Sequence, residues 1–375
     1  MKVAFVCFYE AYPPAGGAAS VTYHAAKYAL GRKILIQFGA ACADECVSDD
    51  FVIRTLDRYS DSRLRKIAGL FCRVRGIVKV LEELAPQVVV LEGASWAVYH
   101  WLLLRRIRRR LPRCSVVYHA HNVEYVLRRE RYGRMAGAVT RWAERNIVRR
   151  ADLVTAVSET DRAHFEALYN VRPILLSNGV DFERFDRVTA SEVRAARSRY
   201  GLGPNTALFM GGYTYPPNKQ GIDFLVQAVM PQVIAKRPEA KLALLGGAVP
   251  HRAPWLVAPG CIPHDELPTF VKACKVGLAP IFWGSGTRLK ILEYLAGGLP
   301  VVATAKGAEG LELDGQPVAM AESAAEFADG IVEFLDHSRG LVPADSARAA
   351  LRTRYGWPGI MSAFDTTLRQ CIRLR

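Results

Sequence analysis

The 375-residue sequence lacks any apolar run long enough to cross a bilayer, which takes roughly 20 consecutive residues. Its start, MKVAFVCFYEAYPP, has one lysine and a six-residue apolar stretch before polar residues and prolines, too short for a secretory leader. The expectation is a cytosolic protein, at most peripheral to a membrane. Paired cysteines are missing as well. The eight cysteines, at 7, 42, 46, 72, 114, 261, 274 and 371, are scattered, which excludes a disulfide framework and fits a reducing compartment. Cys42 and Cys46 have no second Cys/His pair at ligand spacing after them, so no structural metal is expected. Acidic residues are in deficit: 36 Asp and Glu against 50 Lys and Arg leave a formal charge of +14. Such an excess points towards anionic partners, whether nucleic acid, an acidic membrane surface or a phosphorylated small molecule.

What is present is an apolar content of 50% on a chain about twice the usual domain length, enough for two cores. Short apolar runs alternate with amphipathic stretches. Residues 3–8 read as a buried strand ended by YPPAGGAAS, then a helix to about Leu30 and the strand ILIQF at 34–38. The alternation continues with a helix at 63–84, VVVLE at 88–92, a helix at 96–111, SVVYHAH at 115–121, DLVTAVS at 152–158 and RPILLSNGVD at 172–181. A charged helical connector at 183–200 precedes a restart: TALFMGG at 206–212, a helix at 219–235, KLALLGG at 241–247, a helix at 265–273, KVGLAPI at 275–281, PVVAT at 300–304 and a helix at 322–336. Continuous apolar strands alternating with helices predict parallel sheets covered on both faces. The fold class is therefore α/β, as two Rossmann-like domains at 1–182 and 201–354, with a last helix at about 355–375 packing back on the first. Ligands of such sheets bind beyond the carboxyl ends of the strands, so a cleft between facing domains is the expected site.

Glycine-rich turns follow strands in both halves, at 13–20, 210–218, 244–250 and 284–287, where bare N–H groups and helix N-termini receive anions. In GSGTRLKILE, from 284 to 293, Thr287 or Ser285 is expected to cap a helix whose first turn holds Arg288, followed by Lys290 and Glu293. Two cations at a helix N-terminus oppose its dipole and are unfavourable there unless an anion is present. A pyrophosphate would be such an anion, and a hydroxyl-rich ligand would explain Glu293.

The second half, through SNGVD (177–181), FMGGYTYPPNKQGIDFLVQA (209–228), LALLGG (242–247), the segment from GCIPHDELP at 260 to PVVAT at 304, and GAEGL (307–311), resembles the nucleotide-sugar-binding domain of the retaining GT-B glycosyltransferases of family 4. PPAGGAASVTYHAAKYAL (13–30), YHAHNVE (118–124) and ADLVTAVSETD (151–161) resemble the acceptor domain of the same enzymes, and RYGW (354–357) the return of their last helix. The resemblance implies the GT-B fold, with two domains facing across a deep cleft, and hexosyl transfer from a UDP- or GDP-sugar to a glycan or lipid-linked acceptor.

By that resemblance Glu293 is the second acid of the family's Glu-x7-Glu motif, holding the donor ribose. Ser285 stands where the first acid belongs. Gly286 and Thr287 match the turn that receives the distal phosphate. The diphosphate clamp near Gly212 lacks its arginine and has Lys219 one place from the expected position, which leaves Arg288 and Lys290 as substitutes. Cys261 and Ile262 frame the base, and Gly16 and Gly17 approach the phosphates. His121, with Asn122 and Glu124, is on the acceptor side, while His119 is read as structural. The implied mechanism is a short-lived oxocarbenium ion pair in which the departing phosphate takes the acceptor proton, so no general base is assigned. No Asp-x-Asp ends a strand, so neither a metal nor another cofactor is expected.

The remaining charge gathers in the first half. A helix at 96–111 sets Trp96, Leu103, Leu104, Ile107 and Leu111 along one face and arginines around the other, and Arg141, Arg145 and Arg149 repeat at helical spacing. That pattern suits peripheral contact with an anionic membrane at the inner face of the cell. Nucleic acid is not expected, because the basic runs are not interleaved with aromatics. A sugar-nucleotide epimerase, or a silent nucleotide-sugar-binding protein, is the alternative on the same scaffold.

Overall fold

Runs such as VAFV and VVVL have no polar face to offer water, and they become the buried centre of a parallel sheet. In a computed structural model, residues 1–39, 43–57, 63–93, 97–284, 286–336 and 345–373 are described. They gather into two compact units, residues 1–178 with 357–375, and residues 179–356.

The first unit runs β1 (Lys2–Val6), α1 (Gly17–Tyr28), β2 (Arg32–Gly39), β3 (Ala43–Ser48), β4 (Phe51–Asp57), α2 (Arg63–Leu84), β5 (Val88–Glu92), α3 (Ala97–Arg110), β6 (Ser115–Ala120), α4 (Glu124–Val148), β7 (Leu153–Ala156), α5 (Glu159–Tyr169) and β8 (Ile174–Leu175). Its sheet has the order β3-β4-β2-β1-β5-β6-β7-β8, parallel except where β3 meets β4. The β3–β4 hairpin corrects the sequence reading, which passed from ILIQF to the next helix. Its segment ADECVS carries neither an apolar run nor a clean alternation, so periodicity gave no signal.

The second unit begins with α6 (Phe182–Asp186) and α7 (Ala190–Tyr200), where Phe182 and, within the charged connector, Phe185 and Ala196 are buried. It continues with β9 (Thr206–Met210), α8 (Pro216–Phe224), a π-helical turn at Leu225–Val229, α9 (Met230–Lys236), β10 (Lys241–Leu245), β11 (Leu256–Gly260), α10 (Leu267–Ala273), β12 (Val276–Ala279), α11 (Leu289–Ala296), β13 (Val301–Ala303), α12 (Ala305–Ala308), β14 (Val318–Met320), α13 (Ala324–Asp336) and α14 (Asp345–Tyr355). The parallel sheet has the order β11-β10-β9-β12-β13-β14. The last helix, α15 (Trp357–Arg373), packs on α1 of the first unit, where the Trp357 and His24 rings stack at 6.1 Å.

α4 is not one rod. Gly133 takes φ +83° and ψ −176°, a conformation open essentially to glycine alone, and the chain doubles back there. A Cβ on Gly137 would lie 2.9 Å from that of Arg129 on the other arm. At the root of this hairpin the buried Glu144 accepts hydrogen bonds from the backbone N–H of Glu124 (3.0 Å), from that of Tyr125 (3.2 Å) and from the Tyr169 hydroxyl (2.6 Å). One arm thus caps the free N-terminus of the other. Burial pushes the Glu144 carboxyl up to about 7.

Glu144→Ala strands those donors and is expected to cost about 2–4 kcal/mol in urea unfolding. A loss below about 1 kcal/mol removes the capping role. The native state holds the Glu144 proton more tightly than the unfolded chain does, so this group's contribution to stability falls as pH rises towards 7. That part of the pH dependence should vanish in Glu144→Gln.

Candidate functional site

Two clusters of polar side chains form at strand ends, one in each unit. In the second, β9 is followed by Gly211, where φ is +151° and a Cβ would lie 2.5 Å from the side-chain nitrogen of Asn218. The glycine lets Asn218, from the first turns of α8, tuck under the turn: its Nδ2 donates to the Gly212 carbonyl at 3.4 Å and its Oδ1 accepts from Lys290 Nζ at 3.1 Å. Lys290, in the first turn of α11, also sets its ammonium 4.0 Å from the centre of the Phe209 ring. Burial pushes Lys290 down to about 7, Arg288 adds to the shift, and Glu293 opposes it. One turn further along, burial raises the Glu293 carboxyl to about 7 against the pull of Arg184 and Lys290. The Glu293 carboxyl forms no hydrogen bond among the described residues. Arg184 is held by the His264 carbonyl at 2.6 Å. Lys290 is therefore held less basic than a free lysine beside an arginine and a helix N-terminus, and a neighbouring anion would favour its protonated form.

α11 starts at Leu289 with Arg288 as its N-cap residue and no side-chain cap. This corrects the expected cap at Thr287 and the placing of Arg288 in the first turn. Gly284 and Gly286, at φ +102° and +81°, keep the preceding loop out of helical conformation. Gly286 and Thr287 lie half-buried in that loop, and Arg288 donates to the Trp283 carbonyl at 3.4 Å. Ser285 lies outside the described residues. Lys219 is exposed and bound to Asp223 at 2.6 Å, an acid that also accepts from Tyr213 (2.9 Å) and His251 (2.7 Å). Cys261 is exposed and Ile262 partly buried, just past β11.

In the first unit Glu92 closes β5, completely buried. Its Oε2 meets His121 Nε2 at 2.5 Å, His119 Nδ1 at 3.1 Å and the Thr22 hydroxyl at 3.1 Å, and Thr22 in turn pairs with the Tyr9 hydroxyl at 2.7 Å. Burial opposes ionisation of Glu92, yet the two histidines hold it well below the usual carboxylate range. An ionised Glu92 accepts from all three neighbours when His119 carries the proton on Nδ1 and His121 on Nε2. That tautomer leaves the Nδ1 lone pair of His121 as its free acceptor. Burial also pushes His121 down, with Glu92 opposing, so the ring is neutral at pH 7.

Glu92, His119 and His121 are also a trio able to hold a metal, their ligand atoms lying within 4.8 Å of one another among the described residues. The three hydrogen bonds already satisfy the carboxylate without a cation. Of the other residues expected here, Gly16 and Gly17 are exposed at the start of α1 and Asn122 is half-buried. Glu124 points inward to Arg128 at 2.9 Å, and burial raises its pKa. Sequence reasoning missed Glu92, Thr22, Asn218 and Arg184. Only Glu92 carried a signal, as the one charge closing an all-apolar strand.

Binding of a diphosphate to the second cluster should weaken as pH rises, because the free Lys290 loses its proton near pH 7. Calorimetric titration with UDP and GDP between about pH 7.5 and 9 should give a Kd rising by up to about tenfold per unit. A flat profile, or the same slope in Lys290→Ala, overturns the role of that ammonium.

Comparison with known proteins gives consistent matches. Residues 15–184 match a family described as Glycosyltransferase Family 4, and residues 204–337 one described as Glycosyl transferases group 1. A GDP-mannose-dependent monoacylated alpha-(1-6)-phosphatidylinositol monomannoside mannosyltransferase of Corynebacterium glutamicum is 25% identical over 58% of this chain and 62% of its own. A GDP-mannose-dependent alpha-(1-6)-phosphatidylinositol monomannoside mannosyltransferase of Mycolicibacterium smegmatis is 32% identical over 48% and 51%. The chain thus spans between half and two thirds of the length of these curated relatives. Among solved structures, Anabaena HepE in complex with UDP and glucose superposes with a TM-score of 0.73 at 18% identity, over 99% of this chain and 100% of that one, and shows the GT-B fold.

Proposed function

Because the chain belongs to the group 1, family 4 glycosyltransferases, we propose that it transfers a hexosyl residue, with retention of configuration, from a UDP- or GDP-sugar to a glycan or lipid-linked acceptor. The observation that carries the reading is the cluster at α11, with Arg288, Lys290 and Glu293 around a helix N-terminus. Relatives that use GDP-mannose and a fold neighbour that holds UDP support the donor class.

In this reading the donor diphosphate lies at the start of α11. As the bond from the anomeric carbon to phosphate breaks, its electron pair passes to the phosphate oxygen, where Arg288 and Lys290 neutralise the growing charge. The acceptor oxygen bonds to the same face of the oxocarbenium carbon, and its proton passes to the departing phosphate. Glu293, poised near neutral pH, both accepts from and donates to the ribose hydroxyls. His121 stays neutral and offers its Nδ1 to a sugar hydroxyl, while Glu92 holds the ring in orientation. No metal or further cofactor enters the scheme. Cell-surface polysaccharide or glycolipid synthesis, at the inner face of the membrane, is the setting that suits a lipid-linked acceptor.

A thermal-shift panel of nucleoside diphosphates and their sugars tests the donor class, since a ligand of the folded state raises Tm by mass action. Lys290→Ala and Glu293→Ala should each weaken donor binding or turnover at least tenfold with folding intact, and wild-type kinetics in both sinks the assignment. Glu92→Gln should lower kcat about tenfold or more at unchanged donor affinity, and move the acid limb of the pH profile to lower pH, because the lost negative charge no longer favours protonated His121. An unmoved limb leaves Glu92 a purely structural residue.

A further inference from the structure

We propose that the outer face of the α4 hairpin, continued by the neighbouring surface of α3, docks on a bilayer of anionic lipid. Beyond Gly133 the second arm of α4 sorts its residues by position around the helix. Thr140, Ala143 and Ile147 are buried against the unit. One step round lie Met135, Val139 and Trp142, exposed by 85%, 47% and 50%, and Tyr132 at the turn of the hairpin is 54% exposed. The next step brings Arg134, Arg141 and Arg145, all exposed. A stripe of large apolar side chains facing water is unfavourable until something covers it.

The rim says what covers it. The Trp142 ring meets that of Trp101 on α3 edge-on at 4.6 Å, and the Arg105 guanidinium lies 4.9 Å from the Trp101 ring centre. At the turn, Arg128 and Arg131 flank the Tyr132 ring at 5.6 Å and 5.2 Å. Arg105, Arg106, Arg109, Arg134, Arg141 and Arg145 form no ion pair among the described residues. Two of the hairpin's three acids, Glu124 and Glu144, are buried, which leaves Glu130 as its one exposed acid.

A nucleic acid would answer the arginines and leave Met135, Val139 and Trp142 in water. An anionic bilayer answers both, taking the apolar stripe into the acyl boundary, Tyr132 and Trp142 at headgroup level and the arginines against phosphate. No helix among the described residues is long and apolar enough to cross a membrane, so the hairpin lies in the interface rather than through it. The inference stands on the surface alone and is read separately from sugar transfer.

The test is co-sedimentation of the full chain with vesicles of phosphatidylcholine alone or with one third phosphatidylglycerol, at low and high salt. The expected result is binding to the mixed vesicles only, weakened by salt, with a blue shift of tryptophan emission. Met135→Glu, at an exposed side chain, and the double variant Arg134→Glu/Arg141→Glu should each lower vesicle affinity at least tenfold while the Tm shift given by UDP or GDP is kept. Failure of the wild type to bind anionic vesicles at low salt overturns the proposal, as does unaltered binding by both variants. A concentration-dependent dimer abolished by Met135→Glu overturns it too, since the stripe would then be covered by a second copy of the chain.

Discussion

The second unit depends on one hydroxyl. Tyr294, completely buried in α11, accepts from the backbone N–H of Met210 at 2.8 Å and donates to the Leu278 carbonyl at 3.3 Å. These are residues of β9 and β12, neighbours at the middle of the sheet, so a single side chain fixes the helix against both strand ends. Its ring needs the absence of another: a Cβ on Gly277 would stand 2.3 Å from it. The height and rotation of α11 follow from that pin, and with them the positions of Lys290 and Glu293 one turn apart. Thr304 fixes the other side, accepting from the N–H groups of Ile281 (3.2 Å) and Gly307 (2.9 Å) and donating to the Ile281 carbonyl. The loop that leads into α11 is thereby tied where it leaves β12.

Both clusters follow one electrostatic rule with opposite outcomes. In the second unit, burial acts on groups without direct counter-ions, and Lys290 and Glu293 drift towards neutrality, each to about 7. In the first, burial acts on a carboxylate ringed by three donors, and Glu92 stays ionised. The difference is the pair of histidines, whose charge and hydrogen bonds favour the ionised Glu92, rather than depth. Charge that is left unsatisfied is ready for a ligand, whereas charge that is satisfied fixes the geometry of its neighbours.

Much of this was legible in the sequence because the strands are continuous apolar runs. VVVLE, TALFM and KLALL could scarcely be anything but buried strands, and the turns that follow them place Gly212, Arg288, Lys290 and His121 at strand ends. Three things were not legible, each for a physical reason. The β3–β4 hairpin lies at the edge of its sheet and is polar on its outer strand, so it carries no apolar period. The pairings of Asn218 with Lys290 and of Glu92 with His121 span 72 and 29 residues, a spacing that only tertiary packing sets. The reversal at Gly133 sits in a stretch whose helical pattern resumes on the far side, so a break of one residue leaves the periodicity almost untouched.

That reversal makes the hairpin a module. Its root is clamped by the bonds to Glu144, and its outer end, from Arg131 to Met135, is open to solvent. Substitution or lengthening at this end would leave the sheet, the buried Glu92 cluster and the grip at α11 untouched. Selection can therefore retune the surface to which the protein is addressed without renegotiating its chemistry, and the single glycine at the bend is what separates the two.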